Sequence, residues 1–356
     1  MTASVVPADD NRPGGQTQTG PVGAARRPAS GPWVTAFRKL ISDRAAMASL
    51  LLFVAIVVAC CLAPLYANDV AHTDPFHSNI DGTITIDGED VSIMEASTEG
   101  LGLGTEPLGP TWDITQYFLG ADAQGRDVLA RLLYGGVNSL LIASTSTVLC
   151  LLLAAVLGVV AGFFGGLVDA TLSRLLDVIW AFPIFLLAIS LSIVLINQSI
   201  DIGPITITAG SLWLPIFIIA IVYIPYVARP VRGQVLSLRN SEFVLAAIGL
   251  GVPSYRILVK DILPNVATTL IVFVPLMMAL NMLTESALSF LSIGVQPPDA
   301  SWGTIIQDGQ ELLYTRPAVA LAPGIAIAIT VLALNVFGDG VRDALDPRSK
   351  LRIGGE

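Results

Sequence analysis

The sequence predicts an all-α polytopic membrane protein with six transmembrane helices. Three observations carry that expectation. Mean hydropathy is +0.72. Charged residues make up only 13% of the 356 residues, against about a quarter in a soluble domain. Six apolar runs, roughly 45–67, 138–165, 177–196, 211–228, 266–284 and 318–337, are each long enough to cross a bilayer core about 30 Å thick as a helix. Charges are nearly absent inside them, Asp177 at one edge excepted. A mid-membrane charge costs about 3 kcal/mol on insertion scales, so runs this clean read as spans.

In chain order, residues 1–37 come first. They are rich in Pro, Gly, Thr and Ala, lack periodicity, and read as a disordered cytoplasmic tail. A signal peptide is shorter and places a basic start before an apolar run, which this segment does not. Residues 38–67 hold the first span. There Val57-Val58-Ala59-Cys60 resembles a lipoprotein cleavage box, but the apolar run continues past Cys60 and the preceding tail is too long. Cys60, Cys61 and Cys150 all lie in apolar runs. Neighbouring cysteines are poor disulfide partners and no metal-ligand spacing is present, so they read as small membrane-core residues.

Residues 68–136 form a large extracytoplasmic loop. Twelve acids against Arg126 and Arg131 give it a charge of −10, while the 17 basic and 16 acidic residues elsewhere nearly cancel. The net charge of −9 therefore reports one acidic loop on a nearly neutral body. It argues against nucleic acid as a partner, because phosphate neutralisation needs a basic face. Within the loop, alternation over 83–86 and 89–93 around Asp87-Gly88 predicts a small β-hairpin with a type I′ turn. A lone hairpin is marginal in water, so this one must pack on something; an external partner and a solvated cap both fit. His72 and His77, with Asp69 and Asp74, match no standard ligand spacing, and no metal site is expected.

Residues 137–350 form the membrane core with five further spans, and 351–356 a short C-terminal tail. With the N-terminus in the cytoplasm, 16 of the 19 basic residues fall on the inner side, and only Arg126, Arg131 and Arg316 fall outside. The positive-inside rule then places both termini in the cytoplasm.

The chain carries no engine of its own. None of its three lysines, Lys39, Lys260 and Lys350, follows a glycine, so no GxxxxGK[ST] phosphate loop is present. No HExxH or GxSxG occurs either, and enzymatic activity is not expected. Ion-coupled carriers place polar groups at mid-membrane. The candidates here are Asn281, Glu285 and Asn335, with Glu285 at the outer end of its span where it can reach the interface. These residues either tie helices together or line a substrate path.

The inner stretch 240–265 is more informative. Ser241 is placed to cap a helix with Glu242 in its first turn, and Gly251 and Pro253 end it. Ser254 is placed to cap a second helix, which Pro264 stops. Residues 243–252 are apolar throughout yet too few to span. On the aqueous side they need a protein surface to bury them. Ala246, Ala247, Gly249 and Gly251 allow close approach. The element 241–264 thus reads as a helix–turn–helix docking site for a cytoplasmic partner, or as packing on the chain's own helix ends.

This stretch resembles the cytoplasmic loop of ABC-importer permease subunits, EAA-x3-G followed by I-x-L-P. Ala246, Ala247 and Gly251 match the first half; Ile262-Leu263-Pro264 matches the end without the intervening residue. Leu245 stands where the general pattern has Glu, whereas Glu242 fits the peptide-importer variant E-[YF]-V-x-A-A-x3-G. Other segments are similar to the C-type permease of dipeptide, oligopeptide and nickel importers. They are 119–129, against LGTDxxGRDVL; 158–166 with Asp169, Arg174, Asp177 and Ala181-Phe182-Pro183; 285–291; Pro297-Pro298 through Ser301-Trp302-Gly303; and Asn335 with 338–348. The similarity covers 38–67 and 110–350 and leaves out the acidic insertion 68–109 and the tail.

The resemblance implies a type I ABC importer permease fold and a role as half of the translocation path for di- or oligopeptides. A nickel-importing permease and an ion-coupled secondary transporter are the alternatives. It also implies a second permease subunit, two cytoplasmic ATPase subunits or domains that bind ATP and Mg, and an extracytoplasmic substrate-binding protein. This chain itself would hold no cofactor or metal. The ATPase-docking residues would be Glu242, Ala246, Ala247, Gly251, Ile262, Leu263 and Pro264. The GxxxG spacing of 158–162 suits close helix packing, within the subunit or between permeases. The implied location is a bacterial cell membrane, with substrate identity and size left open.

Overall fold

The fold is that of a computed structural model, which describes residues 32–86, 88–96, 104–196, 200–202, 205–207 and 210–346. Residues 1–31 of the expected tail, Asp87 of the hairpin turn, and the C-terminal tail 351–356 lie outside the described residues. Helix α1 (Pro32–Ser42) occupies the last six residues of the segment expected as tail. Trp33, Phe37 and Ile41 recur at four-residue spacing on one side of it, with Arg38, Lys39 and Ser42 on the other, the pattern of an amphipathic helix. Lys39 Nζ donates to the Asp343 carbonyl. Asp43 then caps α2 (Arg44–Cys61), accepting from the Ala45 and Ala46 amides at 2.9 and 3.2 Å. A short α3 (Ala63–Leu65) and a π turn at Tyr66–Val70 lead into the loop.

The expected hairpin forms from β1 (Thr83–Ile86) and β2 (Glu89–Ser92), with Thr83 opposite Ser92 and Ile86 opposite Glu89. A second antiparallel pair, β3 (Met94–Ala96) and β4 (Thr105–Pro107), follows. Ile84, Ile86 and Val91 pack on buried Ile93, Leu108, Tyr117 and Ala121. The hairpin's need for a packing surface is thus met by the loop itself.

The loop ends sooner than 136, because α4 (Val128–Phe164) starts at Val128. Asp127 caps it, accepting from the Leu129 and Ala130 amides at 2.8 and 3.1 Å. Burial pushes the Asp127 carboxyl above the ordinary carboxylate range, against the pull of these bonds. At 37 residues, α4 is about 55 Å long, so part of it projects beyond a bilayer core.

The third span, expected over 177–196, is a bent pair that begins earlier. Helices α5 (Gly166–Trp180) and α6 (Ile184–Ile196) meet at 91°. Pro183 lacks an N–H and disfavours helical backbone at Phe182, which breaks the chain there. The 13 residues of α6 reach only about 20 Å. Strands β5 (Ile200–Ile202) and β6 (Ile205–Ile207) pair beyond it.

The rest is helical: α7 (Trp213–Arg239), α8 (Glu242–Gly249), α9 (Ser254–Ile257), a π turn at Leu258–Ile262, α10 (Leu263–Phe290), α11 (Trp302–Asp308) and α12 (Ala318–Leu345). Pro264 does not stop the second inner helix. Instead α9, the π turn and α10 run on as one helix of 37 residues. The π turn shifts the hydrogen-bond register by one, Leu263 N bonding to Leu258 O, and Asn265 Nδ2 donates to the Asp261 carbonyl at 2.6 Å. Pro264 therefore sits in a first turn, where its missing N–H is tolerated.

The core lies between α4 and α7. A Cβ on Gly158 would lie 2.7 Å from the Ala228 carbonyl oxygen, and one on Gly162 would lie 2.8 Å from Val235 Cβ. The GxxxG spacing thus packs two helices of this chain together. Gly158→Leu is expected to force them apart at a cost of about 1–3 kcal/mol. The check is the thermal unfolding midpoint in detergent against Gly324→Leu, where an added Cβ meets nothing within 4 Å. Equal midpoints would contradict the close approach. Hydrogen bonds from Tyr223 to Thr284 (2.8 Å) and from Asn281 to Thr147 (2.9 Å) tie α10 to α7 and α4. Near the α7 C-terminus Arg232 grips Asp169 of α5, with Nη2 at 2.6 Å. Arg229 bonds Asp177 at 2.9 Å and stacks on Trp180 at 5.3 Å.

Candidate functional site

The α8–α9 element juts from the end of the bundle where α7 stops. Ser241 holds the N-cap position of α8, but its hydroxyl donates backwards, to the Leu238 carbonyl at 2.5 Å, and leaves the helix uncapped by a side chain. Glu242 in the first turn suits the positive helix end. At the other end Gly251 adopts φ +74, a backbone region that glycine enters without strain. Its amide bonds Ile248 O at 2.9 Å and the Val252 amide bonds Ala247 O at 3.1 Å, a Schellman closure.

A helix of eight residues is unstable alone in water. Val244, Ile257 and Ile262, all fully buried, hold the element to the main core. Its other side leaves Phe243, Leu245, Ile248 and Leu250 exposed, with Tyr255, Val259 and Leu263 beside them. Leu250 is 83% exposed. Side chains of this kind offer no acid–base or ligand chemistry. Nothing among the described residues covers these side chains, so the element presents a short apolar helix with most of its surface exposed.

Of the expected docking residues, Glu242, Ala246, Gly251, Leu263 and Pro264 are exposed and Ala247 is half-buried. Ile262 is buried and unreachable from outside; it anchors the element from within. Sequence reasoning marked the run 243–252 as needing a protein surface without singling out Phe243, Leu245, Ile248 and Leu250, and passed over Tyr255 and Val259. The signal was the unbroken apolar run itself, since a short helix buries one face and must expose the rest.

The three polar span residues do not come together. Asn281 is buried between α10 and α4, bonded to Thr147. Glu285 does not reach the interface: it is fully buried, with the Ser289 hydroxyl at 2.8 Å and the Ser286 hydroxyl at 3.3 Å, and Ser139 and Ser301 also bond to it. Hydroxyl donors satisfy a carboxylate that has left water. Only Asn335, on α12, is exposed.

At the opposite, loop-bearing end sits a buried ion cluster. Asp122 accepts from Arg126 Nε at 2.7 Å and lies 3.3 Å from Arg131 Nε. Asp308 of α11 accepts from both guanidinium groups, at 3.1 and 3.0 Å. Arg131 also donates to the Pro75 carbonyl at 3.0 Å. Burial raises the Asp308 carboxyl above its ordinary range, and Arg131 and Arg126 pull it back. Arg316 reaches Pro107 O at 2.6 Å and Glu95 at 3.4 Å, fastening the second strand pair.

Residues 154–351, more than half the chain, match the family described as "Binding-protein-dependent transport system inner membrane component". The chain belongs to this family. Residues 31–81 match a second description, "N-terminal TM domain of oligopeptide transport permease C". Relatives of this permease include the dipeptide transport system permease protein DppC of Alkalihalophilus pseudofirmus, 32% identical over 90% of this chain and 92% of the relative. The oligopeptide transport system permease protein OppC of Haemophilus influenzae is 34% identical over 89% of each chain. The glutathione transport system permease protein GsiD of Pectobacterium atrosepticum is 35% identical over 66% of this chain and 73% of its own. Among solved structures, an inward-facing MetNI methionine ABC transporter aligns with a TM-score of 0.47 and 18% identity, over 60% of this permease and 95% of that chain.

Proposed function

We propose that this permease subunit carries peptides of di- to oligopeptide size through the membrane as half of an ATP-driven importer. The exposed apolar face of α8, Phe243, Leu245, Ile248 and Leu250, carries the reading, for it has the chemistry of a permanent docking surface. A cytoplasmic ATPase, one of two, seats there and binds the ATP and Mg. A second permease completes the path, and an extracytoplasmic binding protein delivers the peptide. Glu242, Ala246, Ala247, Gly251, Leu263 and Pro264 frame the ATPase contact, with Ile262 supporting it from inside. Both termini lie in the cytoplasm, on the positive side of the chain. Asn335 remains the polar candidate for the path. Closure of the ATPases moves α8, and the helix joined to it through α9 transmits the movement into the bundle. Coupling of this kind requires the docking contacts to differ in energy between the two states.

The test is reconstitution in proteoliposomes. Labelled peptide uptake is expected only with both permeases, the ATPases, the binding protein and ATP. Uptake by this chain alone under an ion gradient would overturn the proposal in favour of a secondary carrier.

A further inference from the structure

Resting on the peptide-import reading above, we propose that the break between α5 and α6 lines the translocation path and receives the backbone N–H groups of the passing peptide on its free carbonyl oxygens. Helix α5 closes with the Ala181 amide on the Asp177 and Val178 carbonyls. Helix α6 opens with the Leu187 amide on the Pro183 carbonyl. Between these bonds, no hydrogen bond among the described residues reaches the carbonyls of Trp180, Ala181 or Phe182, and Pro183 has no N–H to offer. Trp180, Ala181, Phe182 and Pro183 are all exposed. Irregular backbone with open carbonyls is not tolerated against hydrocarbon. At membrane depth it occurs only where it is buried in protein or lines a water-filled cavity, and this break is not buried in its own chain.

Depth and side both fit a path. The Trp180 ring lies 6.1 Å from that of Tyr226, the middle residue of α7 (Trp213–Arg239), so the break is close to the middle of that span. The exposed residues in the inner half of α7 are Arg229, Pro230, Gly233 and Ser237. With half-exposed Tyr226 they share about 100° of the helix circumference. That strip faces away from α4, whose Gly158 approaches Ala228 and Val231 on the opposite side. Trp180 flanks it on one edge and Phe273 of α10 on the other, each ring 6.1 Å from Tyr226. The half-exposed pair of Arg229 and Asp177 sits on the same strip. The exposed face of α2 is different: Leu51, Leu52, Val54 and Val58 make it aliphatic, as lipid requires. A strip with ionised groups belongs to the water-filled side.

The chemistry of the break selects its ligand. Arg229 is already bonded to Asp177 at 2.9 Å and covers the Trp180 ring at 5.3 Å, so neither the charges nor that aromatic face is left for a charged group. Three open acceptors beside aromatic rings remain. They suit an uncharged N–H donor, which every peptide bond supplies whatever its side chains.

The experiment is thiol labelling of the assembled importer in proteoliposomes, on a chain carrying Cys60→Ala, Cys61→Ala and Cys150→Ala. Ala181→Cys and Phe182→Cys, one at a time, should react with a charged, water-soluble methanethiosulfonate at least tenfold faster than Leu51→Cys, on the exposed face of α2. Transported peptide, supplied with the binding protein and ATP, should slow that reaction at least twofold. Uptake is then compared between a parent peptide and analogues methylated at one backbone nitrogen that the binding protein holds as tightly. The analogues should enter at least fivefold more slowly. Labelling no faster than at Leu51→Cys would set the break against lipid, and labelling confined to the isolated chain would make it a subunit contact. Either result overturns the proposal, as does labelling that peptide leaves unchanged or equal uptake of every analogue. Failure of the unaltered importer to take up the parent peptide would sink the peptide reading itself, a result distinct from the labelling rates.

Discussion

Replacing Ile248 with Asp is expected to abolish ATP-driven uptake while leaving the permease folded and inserted. Ile248 is half-exposed on α8, the same helix that exposes Phe243 and Leu245. In the free chain the change is a surface substitution, worth within about 0.5 kcal/mol. In the docked complex the new carboxylate must leave water without a partner. An uncompensated buried charge costs about 3 to 5 kcal/mol, which weakens ATPase binding by at least about 100-fold. Co-purification of the ATPases and peptide uptake in proteoliposomes read the two consequences separately. Both are expected to be lost while the yield of inserted chain holds. Retained ATPases with normal uptake would sink the docking assignment. Gly251 is a less clean target, even though nothing lies within 4 Å of where its Cβ would be. Its φ of +74 would strain any other residue, at about 1–2 kcal/mol, so a loss there would mix strain with lost contact.

The spans and the short apolar helix at 242–249 were legible in the sequence because both rest on apolar composition, which a chain carries locally. Direction is not carried that way. The run 177–196 is apolar but for Asp177, Ser190 and Ser192, and only Pro183 marks the place where α5 and α6 turn by 91°. Pro264 looked like a stop because a proline inside a ladder removes a bond. The π turn before it moved the ladder, so that the proline became an early residue of α10. Asp127 was visible as part of a family segment, but its role as the cap of α4 depends on where that helix starts. Burial depends on partners far away in sequence. Glu285 stands at a span end in the sequence, yet Ser139 of α4 and Ser301 before α11 close over it. Ile262 belonged to a docking motif and turned inward for the same reason. The pairing of Arg126 with Asp308 spans 182 positions, and no local pattern announces it.

That long-range pairing yields the largest expected change in stability. Arg131→Met should lower the unfolding free energy by about 3 to 5 kcal/mol. The side chain of Met fills much of the same space, so the loss comes from charge and hydrogen bonds more than from a cavity. Asp122 and Asp308 would then share Arg126 alone, and the Pro75 carbonyl would lose its buried donor, itself worth about 1 to 3 kcal/mol. The cluster joins the acidic loop to α4 and α11, so its rupture should loosen the loop first. The unfolding midpoint in detergent measures the total. A second variant separates coupling from simple damage. Adding Asp308→Asn to Arg131→Met removes the carboxylate left in excess, and part of the lost stability should return. Because Asp122, Arg126 and Arg131 are buried and Asp308 is partly so, most of the effect should also persist at high salt, where exposed pairs are screened. Additive losses in the double variant, or a deficit that vanishes with salt, would show that the four groups do not act as one cluster.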